Sequence, residues 1–264
     1  MIPKIIHYVW VGNSPKPELV LKCIESWKKY CSDYKIIEWN NDILSKIDNA
    51  YVKEAYEHKK WAFVSDYLRL YALYHHGGFY FDTDLELTQN IDDFRKHDFV
   101  TGYENYKGNF SPITALMGAQ KQNIIIKELL SEYNNIHFVV NGKIDQTTNT
   151  VRITKYFHNH FGLSEPYNGN EKTVLNEKSI IFPSYLFCTP EDKKENYAIH
   201  HFNGSWLDAY KRKDVFSFGK YKLVKFKKLS KLKSEDLPIE KNEKKLLKFT
   251  CSNKKVLCIL KEIK

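Results

Sequence analysis

Residues 77–84, Gly-Gly-Phe-Tyr-Phe-Asp-Thr-Asp, constrain the fold of this 264-residue chain more than any other segment. The glycine pair permits a turn, the aromatic run is typical of a buried strand, and Asp82 and Asp84 stand where that strand ends. Residues 62–74, just before it, are apolar at helical spacing, so a helix, a turn and a strand form one α/β unit. Ligands of such sheets bind beyond the carboxyl ends of the strands, where the two carboxylates are expected.

The pattern of the rest of the chain predicts an α/β fold in which strands alternate with helices around a mostly parallel sheet. The predicted helices cover residues 18–31, 52–56, 62–74, 122–133 and 152–161. The predicted strands cover residues 2–11, 35–39, 78–82, 98–102, 179–183 and 198–202.

Asp82 and Asp84 can converge on one hard cation, because side chains two residues apart in an extended segment point to the same side. A divalent ion held by carboxylates binds a diphosphate and neutralises the charge of a leaving group. Two solvated carboxylates after an edge strand are the alternative. Asp66 and Arg69 share one face of the preceding helix and either join this site or form only a surface ion pair.

Other segments surround this core in a fixed order, and these are residues 2–12, Ser26-Trp27, Tyr34, 37–40, 62–69, Gly77-Gly78, Tyr80 and 82–84. Together they resemble a family of retaining DXD glycosyltransferases that includes capsular-polysaccharide transferases and the initiating mannosyltransferase of outer chains. The catalytic domains of glucosylating cytotoxins are more distant relatives. The resemblance is dense over residues 1–110 and resumes at 197–206, and it implies a single nucleotide-diphosphosugar transferase (GT-A type) domain.

Two histidines follow a short apolar stretch within residues 198–206. Imidazole suits Mn²⁺ beside carboxylates, and a pair of hydrogen-bonded core histidines is the alternative. Relatives carry a late His-Phe-x-Gly segment that supplies a metal ligand, so the resemblance implies His201 as the third ligand of Mn²⁺ or Mg²⁺. His200 has the opposite strand parity and is expected to point into the core.

The resemblance also implies how a nucleotide sugar binds. Trp10 would stack on the base while the backbone of Val9 pairs with the base edge, and a core tryptophan is the alternative. Tyr80 would touch the ribose or the base. Asp66 and Arg69 would contact the sugar hydroxyls, or Arg69 the phosphate.

Asp145 is expected to face the donor sugar, although Thr-Asn-Thr stands at 148–150, where sister sequences often carry Thr-Gly-Pro. The predicted catalytic group therefore comprises Asp66, Arg69, Asp82, Asp84 and Asp145. The remaining donor-binding positions implied by the resemblance are Thr83, Gln146, Ser205 and Trp206.

Charge divides the chain in two. Residues 220–264 carry 15 lysines against five acidic residues, a net charge of +10, whereas the whole chain carries +9, so residues 1–219 sum to −1. We therefore predict a catalytic domain over 1–219 and a basic amphipathic extension over 220–264. The stretches 221–232 and 244–260 mix lysine with apolar residues, which is typical of a basic helix at a membrane surface or of a terminal helix packed on the domain. No nucleic-acid-binding motif accompanies the charge.

Location follows from cysteines and hydropathy. The five cysteines form no C-x-x-C pair and no zinc spacing, which favours reduced thiols in a cytoplasm. No signal peptide and no apolar run of transmembrane length is evident. We expect a cytoplasmic protein that associates peripherally with the inner membrane face.

The sequence thus favours a metal-dependent retaining transferase that moves a sugar from a nucleotide diphosphate sugar, most simply a UDP-sugar, to a glycan or lipid-linked glycan of a bacterial surface polysaccharide. Two alternatives remain at this stage. One is a hydrolase of the aspartyl-phosphate type, whose first Asp is the nucleophile. The other is a basic lipid- or nucleic-acid-binding protein in which Asp-Thr-Asp is incidental.

Overall fold

A computed structural model describes residues 1–113, 115–203, 211–218, 221–227, 243–251 and 256–263. The chain divides into two compact units, Met1–Asn203 and Gly204–Lys264. The division falls before the predicted boundary at residue 219, and each unit has its own sheet.

The first unit combines six α-helices with thirteen short strands among the described residues. The helices are α1 (Glu18–Tyr30), α2 (Ala50–Glu57), α3 (Trp61–His76), α4 (Ile124–Ser131), α5 (Asn149–Phe161) and α6 (Ser184–Phe187), with 3-10 segments at Asn41–Lys46 and Asp92–Lys96. The strands are β1 (Ile5–Val9), β2 (Lys35–Trp39), β3 (Gly78–Phe81), β4 (Leu85–Leu87), β5 (Phe99–Gly102), β6 (Glu104–Tyr106), β7 (Asn109–Ser111), β8 (Leu116–Ala119), β9 (Val139–Val140), β10 (Lys143–Ile144), β11 (Thr173–Asn176), β12 (Ser179–Phe182) and β13 (Ala198–His200).

Seven of these strands form the central sheet, in the order β11-β12-β5-β8-β3-β1-β2. Strands β1, β2 and β3 are parallel to one another, and β5 is parallel to β12. Strand β8 runs antiparallel to both β3 and β5, and β11 runs antiparallel to β12. Five of the seven strands therefore point the same way, and the predicted α/β fold with a mostly parallel sheet is confirmed.

The glycine pair between α3 and β3 meets a conformational requirement. Gly77 and Gly78 both have positive φ, 65° and 105°, in which a residue with a side chain is strained. A Cβ on Gly78 would also lie 2.6 Å from the carbonyl oxygen of Ile5 on the neighbouring strand. The pair thus ends the helix and lets β3 lie directly against β1.

Alternating side chains of β3 enter two different apolar clusters. Phe79 and Phe81 belong to the cluster that contains Trp27 of α1, whereas Tyr80 belongs to the cluster that contains Leu68 of α3. The sheet is therefore covered by helices on both faces, as expected when parallel strands are joined by helical crossovers.

The second unit is an antiparallel sheet, which corrects the predicted helix in the basic extension. Its strands are β14 (Lys211–Phe218), β15 (Tyr221–Lys227), β16 (Glu243–Cys251) and β17 (Val256–Ile263), in the order β14-β15-β17-β16. The apolar run over 256–260 is only five residues long, a length typical of a strand in a sheet core and short for a helix. Among the described residues, none of the helices has the length and hydropathy needed to cross a bilayer.

Candidate functional site

The candidate site lies at the carboxyl ends of β1 and β3. These strands are parallel neighbours with His7 opposite Tyr80, so the residues that follow each strand emerge at the same edge of the sheet. Trp10 follows β1, and Asp82 and Asp84 follow β3. The register alone therefore gathers segments that are some seventy positions apart in the sequence at this edge.

Asp82, Asp84 and His200 form a cluster in which one ligand atom from each side chain lies within 4.8 Å of the others. The Nε2 atom of His200 is 3.6 Å from the Oδ1 atom of Asp84. The side chains of Asp84 and His200 are 15% and 11% exposed, and that of Asp82 is 29% exposed. The cluster is thus recessed, but a small ligand can still reach it.

Backbone contacts fix Asp84 against the segment that follows β13. The amide of Asn203 donates a hydrogen bond of 2.8 Å to the Oδ2 atom of Asp84, and the amide of His201 donates one of 3.0 Å to its carbonyl oxygen. Strand β13 pairs antiparallel with β4, which sets His200 opposite Leu85. The position of the histidine relative to the carboxylates therefore follows from main-chain pairing.

Arg69 connects the cluster to α3. Its Nη2 atom is 3.2 Å from Asp66 and 3.1 Å from Asp82, and its guanidinium carbon lies 4.6 Å from the centre of the Tyr80 ring. The hydroxyl of Tyr80 donates to the Oδ1 atom of Asp82 at 3.1 Å. Burial works against the charged guanidinium, but Asp82, Tyr80 and Asp66 together raise the pKa of Arg69 above its usual value.

Asp66 lies between Arg69 and the beginning of α5. Its Oδ2 atom accepts a hydrogen bond of 3.0 Å from the amide of Asn149, the first residue of that helix. Burial raises the pKa of Asp66 to about 6, in spite of the attraction of Arg69 and the hydrogen bond from Asn149. The two oxygens of Asp66 thus accept hydrogen bonds from Arg69 and from the first turn of α5, which fixes the orientation of the carboxyl group.

The electrostatics of the cluster indicate a deficit of positive charge. Burial alone would lower the pKa of His200, but its hydrogen bonds with Asp84 and Cys188 and the charges of Asp84 and Asp82 raise the pKa to about 10. Burial opposes the charge of Asp84 too, yet its contacts with His200 hold the pKa below the usual range. A proton on His200 thus compensates carboxylates that a metal ion would compensate, and two carboxylates with an imidazole suit Mn²⁺ or Mg²⁺.

The structure brings His200 to the carboxylates, whereas the resemblance to a late His-Phe-x-Gly segment implied His201 and strand parity directed His200 into the core. The Nε2 atom of His201 instead lies 2.8 Å from the Oε2 atom of Glu86. The parity argument assumed that the strand continues to residue 202, but β13 ends at His200 and Phe202 has a φ of 50°. The turn leaves the last strand residue beside the loop of Asp84 and directs the next residue toward Glu86.

The positions predicted to meet the nucleotide differ in exposure. Trp10 is partly buried, and its indole N–H donates to the carbonyl oxygen of Ser14 at 2.9 Å. Val9 is buried in the core, and Thr83 is partly exposed between Asp82 and Asp84. Tyr80 is only 2% exposed, and it contacts Arg69 through its ring face and Asp82 through its hydroxyl.

Asp145 pairs with Arg152 of α5 at 2.8 Å, and its Oδ1 atom accepts from the amide of Thr147. The guanidinium of Arg152 lies over the Tyr133 ring at 5.2 Å. Gln146 is exposed next to Asp145. Ser205 and Trp206 lie outside the described residues.

Sequence reasoning missed three residues of the site. Asn149 and Arg152 join Asp66 and Asp145 through the first turn of α5, and the departure from Thr-Gly-Pro at 148–150 was the available signal that this loop differs. Glu104 lies 3.5 Å from His200, and no motif in the sequence marks it.

Comparison with known proteins assigns a family region. Residues 17–101 match the family described as a glycosyltransferase sugar-binding region containing a DXD motif. The match includes Asp66, Arg69, Asp82 and Asp84 and ends before Glu104. No curated protein matches the chain.

Among solved structures, a chain described as PaToxG glycosyltransferase is similar at 19% identity, over 61% of this chain and 70% of that chain, with a TM-score of 0.46. The family match supports a sugar transferase over a hydrolase or an incidental Asp-Thr-Asp, because the matched region is a sugar-binding region that contains a DXD motif. With its DXD sugar-binding region at residues 17–101, the protein is a glycosyltransferase.

Proposed function

We propose that this glycosyltransferase is metal-dependent and retaining, and that it transfers a sugar from a UDP-sugar to a glycan or lipid-linked glycan of a bacterial surface polysaccharide. The observation that carries the proposal is the cluster of Asp82, Asp84 and His200 beside the buried Arg69. The family match supports sugar transfer, and the resemblance noted in the sequence supports the donor and acceptor classes.

Asp82, Asp84 and His200 would hold Mn²⁺ or Mg²⁺. When bound, such an ion would supply the positive charge that stabilises the departing nucleotide diphosphate. Asp84 is held for this role by the amide of Asn203, and Asp82 by Arg69 and Tyr80. The carboxylates therefore need little rearrangement to meet a cation.

Arg69 and Asp66 would orient the sugar. Arg69 contacts both Asp66 and Asp82, and the side chains of Arg69 and Asp66 are close to nine-tenths buried, which limits the directions in which they can point. Asp66 uses its two oxygens on Arg69 and the Asn149 amide, an arrangement that positions it for hydrogen bonding and does not leave it free as a covalent nucleophile. Retention then follows from attack of the acceptor on the same face from which the diphosphate leaves.

The test is a screen of nucleotide sugars for slow hydrolysis and transfer, with Mn²⁺, with Mg²⁺ and with EDTA. We expect turnover of one UDP-sugar that EDTA abolishes, and UDP binding by calorimetry that strengthens with Mn²⁺. His200→Ala should remove most activity while His201→Ala, its matched neighbour, removes little. Full turnover in EDTA would overturn the metal-dependent mechanism, and turnover of only GDP-sugars would overturn the donor assignment.

The basic C-terminal region supports peripheral attachment to an anionic cytoplasmic membrane face as part of the same proposal. Lysines near an anionic surface contribute about 1 kcal/mol each, screened over a Debye length of about 8 Å. We expect co-sedimentation with phosphatidylserine vesicles that declines as salt is raised. A triple Lys→Gln variant at residues 244, 245 and 248 should weaken it, whereas the same change at Lys28, Lys53 and Lys178 should not; equal effects would contradict attachment through this region.

A further inference from the structure

The two ring nitrogens of His200 have different surroundings. Its Nε2 atom faces Asp84, whereas its Nδ1 atom is buried and has no hydrogen-bond partner of ordinary geometry in the described part of the chain. A metal-binding imidazole uses one nitrogen as ligand and normally donates the N–H of the other to a fixed acceptor. A metal-bound His200 would therefore need a hydrogen-bond acceptor for its Nδ1–H group.

Glu104 is the carboxylate on that side. It begins β6, and its Oε2 atom lies 3.5 Å from Nδ1 with its side chain 25% exposed. The hairpin of β6 and β7 is attached next to the histidine, because the amide of Asn105 contacts the sulfur of Cys188 at 3.5 Å. The carbonyl oxygen of Cys188 in turn accepts from the amide of His200 at 2.9 Å.

Aromatic packing also restricts the orientation of the His200 imidazole. Phe202 lies with its ring centre 4.1 Å from that of His200, and Tyr106 of the hairpin lies 5.4 Å from Phe202. Phe202 adopts a φ of 50°, an unusual conformation for a bulky residue. Phe202 therefore packs between the His200 ring and Tyr106 of the hairpin, which limits the movement of the imidazole.

We propose that Glu104 is a positioning residue that accepts the Nδ1–H of His200 and so fixes the tautomer with the Nε2 lone pair directed at the metal. The inference rests on the metal site of the proposed function. A shift of about half an ångström in either side chain converts the present 3.5 Å separation into a hydrogen bond of ordinary length. The sulfur of Cys188 also faces the ring, but a thiol is a weak acceptor beside a carboxylate.

The main experiment measures Mn²⁺ binding to the full chain by calorimetry, without nucleotide. We expect Glu104→Ala to weaken binding by about 10- to 100-fold, the usual effect of losing an outer-shell partner. Glu104→Gln, whose amide oxygen still accepts from Nδ1–H, should recover most of that loss. Glu86→Gln is the matched control, because Glu86 pairs with His201 in the same way but outside the cluster, and it should leave the affinity unchanged.

A second measurement, by NMR, reports the tautomer of the His200 ring directly. In ¹⁵N-histidine-labelled protein with diamagnetic Mg²⁺, the His200 shifts should report a single Nδ1–H tautomer, and Glu104→Ala should convert it to a mixture. A role limited to holding the hairpin would not move these shifts. Where Glu104→Ala fails to fold, Glu104→Asp keeps the charge, shortens the reach and should weaken Mn²⁺ binding in a folded protein.

Several results would overturn the inference. Wild-type affinity in Glu104→Ala, together with loss of binding in Asp84→Ala, would remove Glu104 and leave the proposed function intact. An equal loss from Glu104→Ala in a His200→Ala background would make Glu104 a direct ligand. Equal Mn²⁺ affinity of wild type and Asp84→Ala would instead show that the proposed metal site itself is wrong.

Discussion

Networks of charged side chains lie at both ends of the strands in the central sheet, but their charges are balanced differently. We call the side where the parallel strands begin the amino edge and the side where they end the carboxyl edge. At the amino edge, Lys4 bonds to Asp33 and, at 2.9 Å, to Asp92, which also contacts Arg95. The side chains of Asp33 and Asp92 are 57% and 41% exposed. Two cations thus meet two carboxylates in contact with water.

At the carboxyl edge the charges do not balance. Among the described residues there, the five carboxylates of Asp66, Asp82, Asp84, Glu104 and Asp145 outnumber the cations Arg69, Arg152 and His200, and the side chain of Arg69 is only 11% exposed. Carboxylates in excess and away from water are costly to the fold unless a cation joins them. The balanced edge is therefore explained by folding alone, whereas the excess of carboxylates at the other edge is what the proposed metal ion would neutralise.

The largest expected difference between the edges is in activity. Asp84→Asn should reduce turnover by more than about a hundredfold, because loss of an outer-shell partner already costs 10- to 100-fold and Asp84 is proposed as a direct ligand. Asp92→Asn, the same change at the balanced edge, should leave kcat/KM within a factor of two or so and lower Tm by a few degrees. Equal losses of activity would show that the distinction between the edges is false.

The second difference is in stability. Arg69→Met keeps the length of the side chain but leaves Asp66 and Asp82 facing each other without a cation, and it should lower the free energy of unfolding by about 3–5 kcal/mol. Arg95→Met, beside the half-exposed Asp92, should have a much smaller effect. Urea unfolding measures both. Addition of Mn²⁺ should restore part of the stability of the Arg69 variant, and its failure to do so would argue against compensation by a cation.

Part of this comparison was predictable from the sequence and part was not. The helix over 61–76 and the strand over 78–81 were recognised because strong apolar periodicity and a glycine pair delimit them. Strand β8 was missed because four residues carry no periodic signal and its place between β3 and β5 is set by long-range pairing. The basic extension was predicted as a helix because lysines were weighed more than the length of the apolar runs.

At the site, sequence reasoning recovered the residues that precede and follow the glycine pair but not their partners from distant segments. Choosing between His200 and His201 required knowing where β13 ends, and that depends on pairing with β4 and on the turn at Phe202. Glu104 reaches the site only because β6 folds back toward Cys188. Spacing within one motif predicts neighbours along the chain, whereas these contacts arise from the tertiary fold.

A third prediction uses pH to separate the interior of the sheet from its edges. His7 on β1 is fully buried, accepts from the indole of Trp39 at Nδ1, and donates from Nε2 to the carbonyl oxygen of Gly77. Burial lowers the pKa of His7 to about 4 from its usual 6.5. The unfolded chain therefore binds the extra proton first, and stability present above pH 6.5 is lost as pH falls toward 4, by about 3 kcal/mol at most.

His7→Gln gives the clean comparison, because the amide can still donate to Gly77 and does not titrate. Asp66, whose pKa is raised to about 6, works in the opposite direction and stabilises the fold as pH falls below that value. Asp92, with a lowered pKa, loses its contribution only below about pH 4. The difference in unfolding free energy between wild type and His7→Gln should therefore change between pH 6.5 and 4. A difference that stays constant over this range would exclude His7 as a source of the pH dependence.

The smallest expected effect concerns Trp10, which lies at the carboxyl edge but is partly buried. Its ring lies 5.8 Å from the ammonium of Lys16, and its indole is hydrogen-bonded to Ser14, so the protein holds the ring in one orientation. Stacking of an aromatic side chain on a base contributes about 1–3 kcal/mol. Trp10→Ala should therefore raise the Kd for UDP about tenfold while the protein stays folded, and Trp10→Phe should retain most of the affinity.

Trp27 is the control because it is a core tryptophan, fully buried, with its indole donating to the carbonyl oxygen of Leu85 at 2.7 Å. Trp27→Phe should lower the stability of the fold and leave the UDP affinity of the folded fraction unchanged. Calorimetry with UDP and Mn²⁺, together with circular dichroism, separates the two positions. If Trp10→Ala unfolds the chain or leaves UDP affinity unchanged, Trp10 belongs with Trp27 to the core. The candidate site at the carboxyl edge would then include Asp82 but not Trp10.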